Sequence, residues 1–159
     1  MPPHPTTDLP VALSIAGSDS GAGAGIQADL LTFAAHGVFG TTAITCLTAQ
    51  NPRGVSGVLP VPPDFVLEQC RQVAGHFHPK ALKTGMLLET GIVEAVARFI
   101  QESGIPTVVD PVMVATSGAT LLAPDAVESV KKRLIPRAAL VTPNLDEASI
   151  LLGRKALGG

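Results

Sequence analysis

Tryptophan and tyrosine are absent from this 159-residue chain, and five phenylalanines make up its whole complement of aromatic rings. Single-strand nucleic-acid binders need such rings to stack bases, so that function class is disfavoured. Charge is scarce as well: Asp, Glu, Lys and Arg make up 15% of residues, with a formal charge of −2. The single basic run, Lys131-Lys132-Arg133, suits the end of a helix better than a phosphate backbone. Cysteine is limited to Cys46 and Cys70, which show no metal-ligand spacing, and the start MPPHPTTDLP carries neither the basic region nor the apolar stretch of a secretion signal. A cytoplasmic location is expected. Gly, Pro and charged residues interrupt every apolar run before it reaches the length of a membrane span, so a soluble protein is expected.

What is present is a core-forming composition, 46% hydrophobic and supplied by Leu, Val, Ile and Ala. The length predicts one domain over 11–159 after a disordered segment at 1–10, with no repeat, low-complexity tract or linker. Val11 to Ile15 alternates apolar residues at period two and runs into a glycine-rich turn, after which Ile26, Leu30, Phe33 and Ala34 recur at helical spacing. The alternation continues with a β-rich run at 43–48, a Gly-containing segment with Val55, Val58 and Val61, and a helix after Pro63-Asp64 carrying Val66, Cys70 and Val73. A strand at 81–86 precedes a helix from about Glu89 that buries Ile92, Val96, Phe99 and Ile100 and stops at Gly104. Pro106 to Asp110 is a short buried strand, Pro124-Asp125 opens another helix, and 139–142 is the last strand before a short helix ending at Gly153. Such alternation predicts an α/β fold, a doubly wound, mainly parallel sheet. Because the chain stops after that helix without returning to the sheet, a continuation is expected.

Ligands of open parallel sheets bind beyond the carboxyl ends of the strands. Gly17, Asp19, the run Gly21 to Gly25, Asp29, Gln50, Asn51, Met86, Asp110 and Asn144 all fall there, so one crevice is expected to collect them. Gly23-x-Gly25-x-x-Ala28 satisfies a relaxed dinucleotide fingerprint, but the acidic residue a ribose needs is missing from Leu47 to Asn51. Those glycines serve equally well as a tight turn. Asp29 is either a solvated first-turn carboxylate or, with Gln50, a partner for the polar edge of a heterocycle such as a pyrimidine. Asn144-x-x-Glu147 has the capping-box pattern, and the same pair could hold Mg²⁺ beside nucleotide phosphates with Asp110 close by. His76 and His78 are read as helix-end residues, and Cys46 as core. No Walker-type loop and no paired nucleophile and base are found.

Five stretches together, Ile15 to Asp29, Thr48 to Gly54, Lys83 to Leu87, Val109 to Val114 and Val141 to Glu147, resemble the hydroxymethylpyrimidine and phosphomethylpyrimidine kinases of the ribokinase-like superfamily. The resemblance runs from Val11 to Gly153, in the family's order and spacing. It implies a ribokinase-like fold and ATP-dependent phosphorylation of 4-amino-5-hydroxymethyl-2-methylpyrimidine and of its monophosphate in thiamine biosynthesis. It implies that Gly17, Ala24, Asp29, Gln50, Met86 and Val112 line the pyrimidine pocket. Asn144 and Glu147 would take the superfamily's Mg²⁺ and phosphate role, with Asp110 beside the ATP phosphates. The family's tendency to pair also implies a homodimer.

No residue here matches the family's later glycine-rich segment, which forms its anion hole and presents its catalytic cysteine. Cys46 and Cys70 lie elsewhere, and no catalytic base is assigned. The chain is accordingly expected to be the amino-terminal, substrate-binding part of the kinase, inactive alone, whether as a fragment, an incomplete chain or a remnant. Alternatives are a pyridoxal or pyridoxine kinase of the same superfamily, a nicotinamide-binding Rossmann module, and a non-catalytic pyrimidine-binding protein.

Overall fold

A computed structural model of the chain describes residues 9–113 and 122–154. Most of the expected 1–10 segment, and Val114 of the resemblance, lie outside these residues. The elements in order are β1 (Val11–Asp19), α1 (Gly25–Ala35), β2 (Phe39–Asn51), β3 (Gly54–Pro60), α2 (Pro63–Phe77), β4 (Ala81–Thr84), α3 (Thr90–Ser103), β5 (Thr107–Val109), α4 (Pro124–Ser129), β6 (Leu140–Val141) and α5 (Leu145–Leu152). The six strands form one sheet in the order β3-β2-β1-β4-β5-β6. All neighbours pair parallel except β2 with β3, which are antiparallel.

Local chemistry accounts for the helix limits. Pro63 and Asp64 start α2, where a missing N–H costs nothing and a carboxylate meets the positive end of the dipole. Gly104 closes α3 in the left-handed region at φ 63°, a conformation a side chain resists. The basic triplet sits one step later than a simple helix end: α4 gives way to a π turn over Val130–Leu134, and Lys131 and Lys132 pair with Glu128 at 3.0 and 3.3 Å.

The main core lies on one face of the sheet. Leu13 and Ile15 of β1 are fully enclosed there with Val66 and Cys70 of α2 and Ile92 and Val96 of α3. Burying each of the larger side chains stabilises the fold by about 1.5–3 kcal/mol. On the opposite face α1 packs across β1 and β2, with Leu30 and Phe33 lying so close to Gly40 that a Cβ there would come within 2.6 Å of Leu30. Ser14 points to this side and is also fully buried. The chain turns one way from β1 to β2 and the other way to β4, so the reversal of strand order falls at β1 and β4. A ligand crevice is expected outside the carboxyl ends of these two strands.

Candidate functional site

A cavity of about 290 Å³ opens at that reversal, between the exits of β1 and β4 and the start of α1. Gly17, Ala24, Asp29, Gln50, Met86 and Val112 all line it, as does Asp110. Two glycines keep its floor low. A Cβ on Gly17 would lie 2.8 Å from the Cys46 sulfur, and one on Gly85 would lie 2.9 Å from the Ala16 Cβ. Across the floor, the Thr45 hydroxyl donates to the Met86 carbonyl at 2.6 Å and fixes the exit of β4 against β2.

The glycine loop is held from within. Asp19, buried at the end of β1, accepts N–H groups from Gly21 at 2.8 Å, Gly23 at 3.1 Å and Ala24 at 2.9 Å. These are amides that a pyrophosphate would need, so a carboxylate already occupies the anion position of the dinucleotide reading. The loop is thereby a fixed wall. Gln27 adds to it, accepting from the Asp19 N–H and donating to Ser18. Ser20 and Gln50 exchange two hydrogen bonds, of 2.8 and 2.9 Å, which tie the loop to the end of β2.

Polar groups on the ligand side are few. Asp29 reaches over β1 from α1, where its Oδ2 accepts the Ser14 hydroxyl at 2.6 Å. Lys83 Nζ, from β4, lies 2.9 Å from Asp29 Oδ1 and 3.6 Å from Asp110 Oδ2. Burial pushes the Asp110 carboxyl above its ordinary range, against the attraction of Lys83 and with the help of the Asp29 charge. Among the described residues Gln50 Oε1 has only a shared contact, since the single Thr48 proton is closer to the Ser18 carbonyl, 3.0 Å, than to Gln50 Oε1, 3.3 Å. Sequence reading did not single out Lys83 as a site residue. The signal was available, because a lysine between Leu82 and Thr84 in a buried strand needs a charged partner.

Asn144 and Glu147 lie apart from this wall, at the start of α5. They form a complete capping box: Asn144 Oδ1 accepts the Glu147 N–H at 2.9 Å, and Glu147 Oε2 accepts the Asn144 N–H at 3.0 Å. Glu147 Oε1 also accepts the Met113 N–H at 3.4 Å, which joins α5 to the segment leaving β5. His76 and His78 stand at the end of α2, as the sequence suggested, with His78 left-handed at φ 48°. Among the described residues, no group of three His, Cys, Asp or Glu side chains is placed to hold a metal, and no helix is long and apolar enough to cross a membrane.

A family model described as phosphomethylpyrimidine kinase matches residues 19–157. The chain belongs to the phosphomethylpyrimidine kinase family. A hydroxymethylpyrimidine/phosphomethylpyrimidine kinase from Rhizobium meliloti is 51% identical over 148 residues, which are 93% of this chain and 56% of the relative. The crystal structure of a phosphomethylpyrimidine kinase from Clostridium difficile superposes with a TM-score of 0.86 at 42% identity, over 92% of this chain and 64% of that one. An ADP complex of a Bacillus subtilis pyridoxal kinase gives 0.86 at 40% identity, over 95% of this chain and 58% of that one. The chain spans about half the length of the curated relatives it matches. These neighbours carry the ribokinase-like reading of the fold.

Proposed function

We propose that this chain is the substrate-binding part of a hydroxymethylpyrimidine/phosphomethylpyrimidine kinase of thiamine biosynthesis, and that it holds the pyrimidine in the cavity between the β1 and β4 exits. The observation that carries this reading is the composition of the cavity wall. Met86 and Val112 offer apolar surface to a flat ring, while Asp29 and Gln50 offer an acceptor and an amide to its polar edge. In the reaction the hydroxymethyl oxygen attacks the γ-phosphorus of ATP, forming the new O–P bond as the bond to ADP breaks. A second turnover on the monophosphate gives the pyrophosphate. Positioning supplies much of the rate in such transfers, and the fixed glycine loop and Asp29 provide it here.

Mg²⁺ would neutralise phosphate charge as it develops. The Glu147 carboxylate and the Asn144 side-chain carbonyl offer oxygen ligands, which suit this ion, and Asp110 adds another from the cavity side. Since both Glu147 oxygens already accept backbone N–H groups, contact through water fits them better than direct ligation.

A pyridoxal kinase is the second reading, favoured by the high structural similarity to proteins of that name. Calorimetric titration with hydroxymethylpyrimidine and with pyridoxal, beside an ADP-release assay with MgATP, separates the possibilities. Tighter binding of the pyrimidine with no ADP release is expected. Tighter binding of pyridoxal would favour the second reading, and ADP release would show that the chain alone suffices for catalysis.

A further inference from the structure

We propose that Lys83 is a positioning residue which, with Ser14, aims the Asp29 carboxylate at a hydrogen-bond donor of the ligand and so makes the site select an amino-substituted over an oxo-substituted heterocycle. This rests on the pyrimidine reading above and names how that site discriminates.

The sheet register builds the clamp. Ser14 of β1 and Lys83 of β4 are direct partners across the parallel pair, and α1 delivers Asp29 above them. A carboxylate has about four acceptor positions. The Ser14 hydroxyl, at 2.6 Å, and Lys83 Nζ, at 3.2 Å, donate to Oδ2, while Oδ1 is in ion-pair contact with Lys83 Nζ at 2.9 Å. Oδ1 therefore keeps an acceptor position open to a ligand. The Asp29 side chain is only 13% exposed, so that position cannot be traded for another by rotation into solvent. Asp110 holds the ammonium from the far side at 3.6 Å, and no other cationic side chain lines the cavity among the described residues.

The polarity follows. An amino group placed against Oδ1 donates into the open position, whereas an oxo group there sets acceptor against acceptor in a partly desolvated pocket. Without Lys83 the carboxylate loses its bracing cation and can turn, and the two aspartates face each other with no positive charge between them. Both changes weaken binding of the amino compound and blur the discrimination. A role limited to holding the fold together would lower stability and leave the ratio of the two affinities unchanged.

The test uses the full chain, with calorimetric titration by hydroxymethylpyrimidine and by its oxo counterpart, and thermal melts alongside. Lys83→Met is expected to bind the amino compound about tenfold to a hundredfold more weakly. It should also narrow the amino-to-oxo ratio several-fold relative to the unaltered protein, and Lys83→Arg should restore part of that ratio. Should Lys83→Met not fold, Ser14→Ala, which removes one hydroxyl from the same clamp, must narrow the ratio instead. A folded Lys83→Met or Ser14→Ala protein that keeps the ratio within about twofold overturns the proposal and leaves the pyrimidine reading standing. Failure of the folded, unaltered chain to bind either compound removes both.

Discussion

Gly25 starts α1 and faces the β1 exit, and three glycine substitutions measure how closely these parts of the cavity approach. Gly25 has φ +60°, and a Cβ on it would lie 2.4 Å from the Gly17 carbonyl oxygen, which is backbone and cannot swing aside. Gly104 has φ +63° with nothing within 4 Å, and Gly75 sits in α2 with ordinary helical φ and open surroundings. Gly75→Ala should therefore stabilise the fold by about 0.5–1 kcal/mol, since only the entropy of the unfolded chain and helix propensity change. Gly104→Ala should cost about 1–2 kcal/mol for the left-handed conformation alone. Gly25→Ala carries the same cost plus about 1–3 kcal/mol for overpacking against Gly17, about 2–5 kcal/mol in all. For a domain of this size about 1 kcal/mol moves the melting temperature by about 2–4 °C, so thermal melts followed by circular dichroism resolve the order. Gly25→Ala falling within about 0.5 kcal/mol of Gly104→Ala would refute the close approach of α1 to the β1 exit.

Three further outcomes follow from the same structure. Cys46 and Cys70 are buried, and burial pushes the Cys70 thiol up to about 12, so neither should react with a thiol reagent at pH about 8 until the chain unfolds; a native reactive thiol would contradict this. Asp110 binds its proton more tightly in the folded protein than at its ordinary 3.8, so the stability tied to that proton is present below this value and lost as pH rises through the folded pKa. Asp110→Asn should accordingly gain stability relative to the unaltered chain over that window and then level off, and parallel urea titrations at several pH values showing the reverse slope would exclude it. Asn144→Ala should cost about 1 kcal/mol through loss of the α5 cap, while Asn144→Asp should cost little; equal losses in chemical denaturation would argue against the capping role.

The parallel sheet was legible because Val11 to Ile15 and Pro106 to Asp110 are short apolar strands bounded by turn residues, and α3 because Ile92, Val96, Phe99 and Ile100 share one helical face that ends on a glycine. The edge strand was less so. Val55, Val58 and Val61 are three apart, which matches neither a strand face nor a long helix, and β3 forms because β2 extends to Asn51 and offers it an antiparallel partner. The π turn after α4 carries no local signature in Val130 to Leu134. In the site, spacing after each strand marked the residues that gather at the cavity, but the partners of each charge depend on cross-strand register. That is why the partners of Lys83 were not legible even though its place in a buried strand was, and why Asp19 gave no sign that it would satisfy the glycine loop from inside.

A crystal structure of the chain with hydroxymethylpyrimidine at saturating concentration addresses the central claim most directly. The ring should lie between the exits of β1 and β4, with its amino nitrogen within hydrogen-bonding distance of Asp29 Oδ1 and the Gln50 amide at its edge. A ring bound elsewhere, or an empty cavity in a well-ordered crystal, would contradict the assignment.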